Sequence, residues 1–314
     1  MASLSSFLTH YHEELKRELS LLEQKRIRVL YRVITGWVVI FLGAITVFLL
    51  LVHVFLPHDH GVALLVSAGL GLASALGYTQ YATRTFRALF KEQVIGHMVR
   101  YFDLAYTAQG AIPKRDFEHA RLFLHPIDRY QGDDLVQGEV EGVKVAWSDL
   151  HVHYLQKRAN GKSTRHTLFQ GLFFKAPFPK TFHTRTWVLP DIAQKVLGDF
   201  GSLLQRFSSR GKLMKLDNPA FERAFVVYGE DPVEVRYLLT PRFMEQLLAL
   251  QNQANVPLHV SFCGGNIYLA FSYGKASFEP SLFHPLTRFA TLKEHSQRML
   301  LLRDVVKILG LQER

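Results

Sequence analysis

Asp149, His151 and His153 alternate along the run SDLHVHYL, so on an extended strand all three side chains project from one face. Two imidazoles and a carboxylate at that spacing can hold a metal ion. The competing account is the solvent face of an antiparallel strand, which often carries such residues. Asp133 and Asp134 follow Gly132. Paired carboxylates can do acid/base work or bind a divalent ion when burial raises one of them, yet a turn before a strand uses the same residues for backbone hydrogen bonds. His58, Asp59 and His60 form a third cluster, between Pro57 and Gly61, able to bind a metal or respond to external pH; a solvated polar turn accounts for it more simply.

Lys157, Arg158, Lys162, Arg165 and His166 crowd one polar loop, and Lys175, Lys180 and Arg185 follow. Beside a membrane, such a patch attracts anionic headgroups by about 1 kcal/mol per basic residue near the surface, less in salt. A solvated basic loop explains the same run. Nucleic acid is not expected, because Phe169, Phe173 and Phe174 lie in a strand pattern that makes them core residues rather than a stacking surface. The chain has no GxSxG, no phosphate-binding loop, no GxGxxG between strand and helix and no paired cysteine ligands, so no catalytic residue is assigned and no cofactor is expected. Cys263 is the only cysteine, which rules out an internal disulfide and suits a reducing compartment; it reads as a buried strand residue.

The elements that would position these groups begin with a membrane region. An apolar content of 48% is high for a soluble protein, and the excess is concentrated in residues 33–82. Residues 33–56 contain no acid, Lys or Arg, and 24 residues at about 1.5 Å each span a hydrocarbon core of about 30 Å. Residues 57–61 form an outer turn, and residues 62–82 return. Lys16, Arg17, Lys25, Arg26, Arg28 and Arg32 precede the first span, Arg84, Arg87 and Lys91 follow the second, and the turn has none, which places both termini in the cytoplasm. Gly71 with Ala75 and Ala73 with Gly77 give small-xxx-small spacings suited to packing within the hairpin, or to homo-oligomerisation. Residues 1–32 read as a polar cytoplasmic helix leading into the first span.

Residues 83–314 then form the cytoplasmic domain, attached through a helix that continues past residue 82. The patterns predict a short helix at 116–123, strands over 136–147, 150–155 and 167–175, and a strand at 221–228. Helices follow from Asp231, Pro232 and Glu234 through Leu250, with Thr240 capping and Pro241 at the first turn. A hairpin over 258–271 and a helix over 285–309 complete the chain. The fold class is α+β, a transmembrane hairpin followed by an antiparallel sheet with packed helices.

Three motifs occur together and in order: DRYQGDDLVQGEVEGV at 128–143, FQGLFFKAPFPKTF at 169–182, and LMKLDNPAFERAFVVYGEDPVEVRYLLTPRFMEQL at 213–247. With the two spans ahead of them, they resemble a bacterial family catalogued as domain of unknown function 3137. The resemblance implies a two-pass protein of the bacterial inner membrane and, because members are often encoded beside LemA-type membrane proteins, a shared membrane complex. It supplies no catalytic residues. The expected function is a membrane-anchored scaffold that binds a membrane protein partner or anionic lipid headgroups. A membrane-proximal metal-dependent enzyme and an oligomeric transport component are the alternatives; neither span carries the acids or bases that mark an ion path.

Overall fold

The computed structural model describes residues 4–55, 59–157, 161–191, 211–286 and 289–312. The chain divides into two compact units, Met1–Ile95 with Glu279–Lys293, and Gly96–Phe278 with Glu294–Arg314.

The first unit contains α1 (Leu4–Leu50), closed by a π turn at Leu51–Phe55, and α2 (His60–Phe90), followed by a π turn at Lys91–Ile95. Both are long and apolar enough to cross a membrane. No Pro falls inside α1 and its first Gly is Gly36, so the helix runs without interruption through the change from polar to apolar composition at Arg32. The two helices run antiparallel. Trp37 donates its indole N–H to Thr79 Oγ1 at 2.8 Å, and the Tyr78 hydroxyl donates to the Arg32 carbonyl at 3.3 Å. A Cβ added to Gly71 would come 3.1 Å from that of Ala44, and one added to Gly36 would meet the Tyr78 ring at 2.1 Å. Gly71 and Ala75 thus lie on the half-buried side toward α1, continuing the buried positions Ala63 and Ser67 at four-residue intervals. Ala73 and Gly77 face outward, with open space beside Gly77. His58 lies outside the described residues, Asp59 precedes α2, and His60 is its first residue.

The second unit is built on a nine-stranded sheet: β1 (Ala105–Thr107), β2 (Arg129–Val140), β3 (Val143–Lys157), β4 (Ser163–Pro177), β5 (Thr186–Pro190), β6 (Lys212–Met214), β7 (Phe225–Gly229), β8 (Leu258–Cys263) and β9 (Asn266–Phe271). The strand order is β1-β2-β3-β4-β9-β8-β5-β7-β6, and each pairing is antiparallel. Glu141 and Gly142, both at positive φ, close the β2–β3 hairpin with the two-residue turn that suits strand twist. Its helices are α3 (Gly96–Arg100), α4 (Lys114–Ala120), α5 (Pro219–Ala224), α6 (Pro232–Leu238) and α7 (Pro241–Ala254), and α8 (Phe289–Ile308) enters it from Glu294 onward.

The strand expected over 221–228 is a correction. Asn218 caps a helix by accepting the Phe221 N–H, Pro219 occupies the first turn, and the strand starts only at Phe225. The Asp231 and Thr240 caps form as the spacing implied, with Pro232 and Pro241 behind them. One core joins α4 to the sheet. Phe117 and Ala120 pack with Leu150, Val152, Phe169 and Phe173, and with Trp187 and Tyr268 farther across. Gly171, at φ 152°, sits where a Cβ would lie 2.0 Å from the Phe271 carbonyl oxygen, so only glycine lets β4 approach β9 there.

Candidate functional site

The acidic group stands on the β2–β3 ladder. Asp133 pairs with Asp149, and the register then slips before Val136 meets Trp147. A bulge of this kind re-aims a side chain. Here it holds Asp134 at φ 56°, directs its N–H to the Ala108 carbonyl at 3.1 Å, and sets its carboxylate to accept from the Tyr106 hydroxyl at 2.5 Å. Asp149 is 4% exposed and accepts the Ser277 N–H. Donor oxygens of Asp133, Asp134 and Asp149 all lie within 4.8 Å of one another. Ionised carboxylates so close repel, and a divalent cation or a shared proton relieves that repulsion.

Of the three ligands expected on β3, Asp149 joins the aspartates, and among the described residues that group includes neither His151 nor His153. The two histidines pair with each other instead, ring centroids 4.1 Å apart. Burial, with the neighbouring His153 and Arg129, holds the His151 imidazole below its ordinary value.

A cleft of about 670 Å³ opens at the end of the sheet where the β2–β3 hairpin, the end of β4 and the start of α4 meet. That volume suits a small molecule or a few residues of a peptide. Its charged lining residues are Asp116, Glu139, Lys144 and Lys175, with the amides of Gln137 and Asn266 beside them. Asp116 and Lys175 form an ion pair at 3.2 Å across the cleft, and Glu139 faces Lys144 in register. Beneath lie Tyr130 and Tyr268; burial and the nearby Asp116 carboxylate raise both phenols, Tyr268 to about 12. Mixed charge of this kind fits a zwitterionic or amide-rich ligand better than a purely anionic one.

One helical turn from Asp116, His119 Nε2 lies 3.4 Å from Cys263 Sγ, which also accepts from Arg185 Nε at 3.3 Å. At 2% exposure the sulfur is beyond the reach of a substrate, and the contact ties α4 to the β8–β9 turn.

The basic residues do not gather in one place. Arg158 lies outside the described residues, as does the Lys157 side chain, while Lys162 is exposed. Arg165 meets Asp128 at 2.6 Å, and Lys175, ten residues on along the same strand, is about 33 Å away. Lys180 donates to the Tyr237 carbonyl at 2.6 Å and covers that ring at 4.8 Å; burial lowers its ammonium from the ordinary value. Arg185 contacts Glu230 as well as Cys263. Sequence reasoning missed Asp116, His119 and Tyr106 as members of these groups, since their partners are 28 to 144 positions away.

Two long apolar helices followed by a nine-stranded antiparallel sheet with packed helices define the class, an α+β domain behind a helical hairpin. Residues 167–311 match the family model described as "Protein of unknown function (DUF3137)", which supports membership of that family. The motif at 128–143 lies ahead of the matched segment. No curated protein matches the chain. Among solved structures it is similar to the crystal structure of the mycobacterial trehalose monomycolate transport factor A, TtfA, at 8% identity and a TM-score of 0.32, over 68% of this chain and 92% of that one.

Proposed function

We propose that the protein is a membrane-anchored binding module of the bacterial inner membrane, crossing it twice with both termini in the cytoplasm, whose sheet domain engages a membrane protein partner. The observation that carries the anchor is the bareness of the hairpin. Among the described residues, eighteen large apolar side chains between Ile34 and Leu76 are exposed, among them Phe41 at 67%, Leu65 at 75% and Leu72 at 64%. At about 1 kcal/mol for each partly bare side chain, leaving them in water costs on the order of 20 kcal/mol, more than a domain's whole stability. Lipid removes that cost.

The mixed-charge cleft favours a protein partner over headgroups, because the basic residues that would bind headgroups are dispersed and several already hold acids. A LemA-type protein is the partner suggested by the family resemblance. The outward Ala73 and Gly77 offer a second copy a close approach. Native mass spectrometry of the gently extracted protein tests the reading: a stoichiometric protein partner supports it, and a bare monomer carrying only a small molecule or metal counts against it. Orientation is tested separately. A cysteine at Asp59 is expected to react with an impermeant maleimide from outside intact cells, and one at Val233, 74% exposed, only after permeabilisation. The reverse pattern removes the topology.

The aspartate group favours a second reading, a metal-dependent activity. If it holds a divalent ion, calorimetric titration with Ca²⁺ or Mn²⁺ gives one site per chain, lost in D134N and D149N and retained in H151N/H153N. Uptake that survives D149N, or none in the parent, removes this reading.

A further inference from the structure

We infer that residues 279–286, which lie far from the spans in sequence, form an interfacial loop that inserts Phe283 into the headgroup and acyl boundary of the same leaflet that the hairpin enters. The inference rests on the bilayer reading of α1 and α2. Glu279–Lys293 belongs to the same compact unit as the hairpin. The loop is clamped at three points. Glu279 meets Lys91 at 3.2 Å and Arg87 at 3.4 Å, which fixes its start to the end of α2. Arg26, 5% exposed, donates to the Leu282 carbonyl, and Glu23, which accepts from Arg26 through both carboxylate oxygens, takes the Leu286 N–H at 2.9 Å. Ser281 Oγ accepts the His284 N–H at 3.2 Å, tightening the turn between Pro280 and Pro285.

These clamps direct Phe283 along α1. Its carbonyl neighbour Leu282 is tied to Arg26, while its ring lies 6.3 Å from that of Trp37, eleven residues and about 16 Å farther along the helix axis. Trp37 is the fifth residue past Arg32, inside the uncharged run. Whatever depth Trp37 takes, Phe283 must share. Phe283 is nevertheless 60% exposed, with Tyr31 at 67% and Tyr81 at 79% on the hairpin around the same level, and Arg28, Arg32 and Arg84 exposed nearby. Aromatic rings with cations on the cytoplasmic side are the chemistry that seats a protein in a phospholipid interface. The occupant assigned to this surface is therefore the bilayer. A soluble partner would have to reach a ring standing beside a transmembrane tryptophan.

The test uses the full chain in nanodiscs with an environment-sensitive fluorophore on single cysteines in a C263S background, placed at Phe283, at Leu72 in mid-span and at Val233 on the sheet unit. Lipids spin-labelled near the headgroup are expected to quench position 283 several-fold more than position 233. Lipids labelled deep in the acyl chain should quench position 72. Quenching at 72 with none at 283, and full access of 283 to iodide, overturns the inference while the spans stand. Loss of deep quenching at 72 overturns the bilayer reading and this inference with it. Shielding of 283 from both iodide and lipid quenchers assigns the surface to a protein and overturns the inference. Should C263S fail to fold, benzoylphenylalanine at position 283 of the otherwise unaltered chain is expected to cross-link to phospholipid, and a protein adduct in its place overturns the assignment.

Discussion

Lowering the pH from 7 to 4 is expected to remove about 6 kcal/mol from the stability of the sheet unit, about 3 kcal/mol through each of two enclosed histidines. Burial holds His259 down to about 4, against the weaker pull of its hydrogen bond to Ala270. The residue as a whole is half-buried, but its Nδ1 is enclosed and among the described residues has no hydrogen-bond partner, and the ring tilts against Phe123 at 5.2 Å. Burial also holds His295 to about 4, with the Arg298 guanidinium acting in the same direction. His295 Nδ1 lies 3.2 Å from the Ser277 carbonyl, the contact a neutral imidazole makes through its N–H. Because the native value is depressed, the unfolded chain takes up these protons near 6.5 and the folded one only near 4. Between those values the unfolded state binds more protons, so stability is complete above about 6.5 and falls as the pH drops through the window. Urea unfolding followed by the buried Trp147 and Trp187 measures this directly. Above about pH 5, where the depressed Glu234 and Glu294 carboxylates stay ionised, the slope should be about 1.4 kcal/mol per pH unit per histidine, halved in H259L and nearly abolished in H259L/H295L. A parent protein equally stable at pH 6.5 and pH 4 contradicts the account.

What the sequence disclosed divides along the range of the interactions involved. Elements set by neighbours in the chain were legible: the two apolar runs, the Thr240 and Pro241 start, and the Gly264 and Gly265 turn between β8 and β9. Over 221–228 the apolar string FERAFVVY has strand composition, which hid the helix that the Asn218 cap and Pro219 start and hold for about one and a half turns. Long-range pairings were not legible. Nothing in the alternation of residues 186–190 says that β5 enters between β8 and β7. Nor does the loop at 279–286 announce that it belongs with helices some 200 positions earlier. The candidate site shows the same division. Asp149 was picked out for its strand position, but it pairs with Asp133 and Asp134 because a bulge turns Asp134 inward and the Ser277 backbone covers Asp149, and neither event has a local signature.

Phe117→Ala is expected to cost about 3–5 kcal/mol and to disable the cleft in the same step. Phe117 is 3% exposed at the centre of an aromatic cluster, with ring centroids 5.1 Å from Phe173, 5.5 Å from Phe123, and 5.8 Å from both Phe169 and Tyr130. Aromatic pairs contribute beyond the area they bury, so the loss exceeds that of an isolated aliphatic truncation. A seven-residue helix has no independent stability, and α4 stays formed because Phe117 and Ala120 fasten it to the sheet. Asp116 and His119 flank Phe117 on that helix, so releasing it separates Asp116 from Lys175 and His119 from Cys263. Two readouts separate packing from charge. F117A should lower the urea midpoint and make Cys263 reactive toward a maleimide at pH 7. D116N should leave the unfolding free energy within about 1 kcal/mol, as a partly exposed ion pair predicts, while altering only what the cleft retains. F117L, which keeps most of the volume, should recover most of the lost stability. If F117A is as stable as the parent, the core lies elsewhere; if Cys263 stays unreactive in a destabilised F117A, α4 is held by something other than that ring.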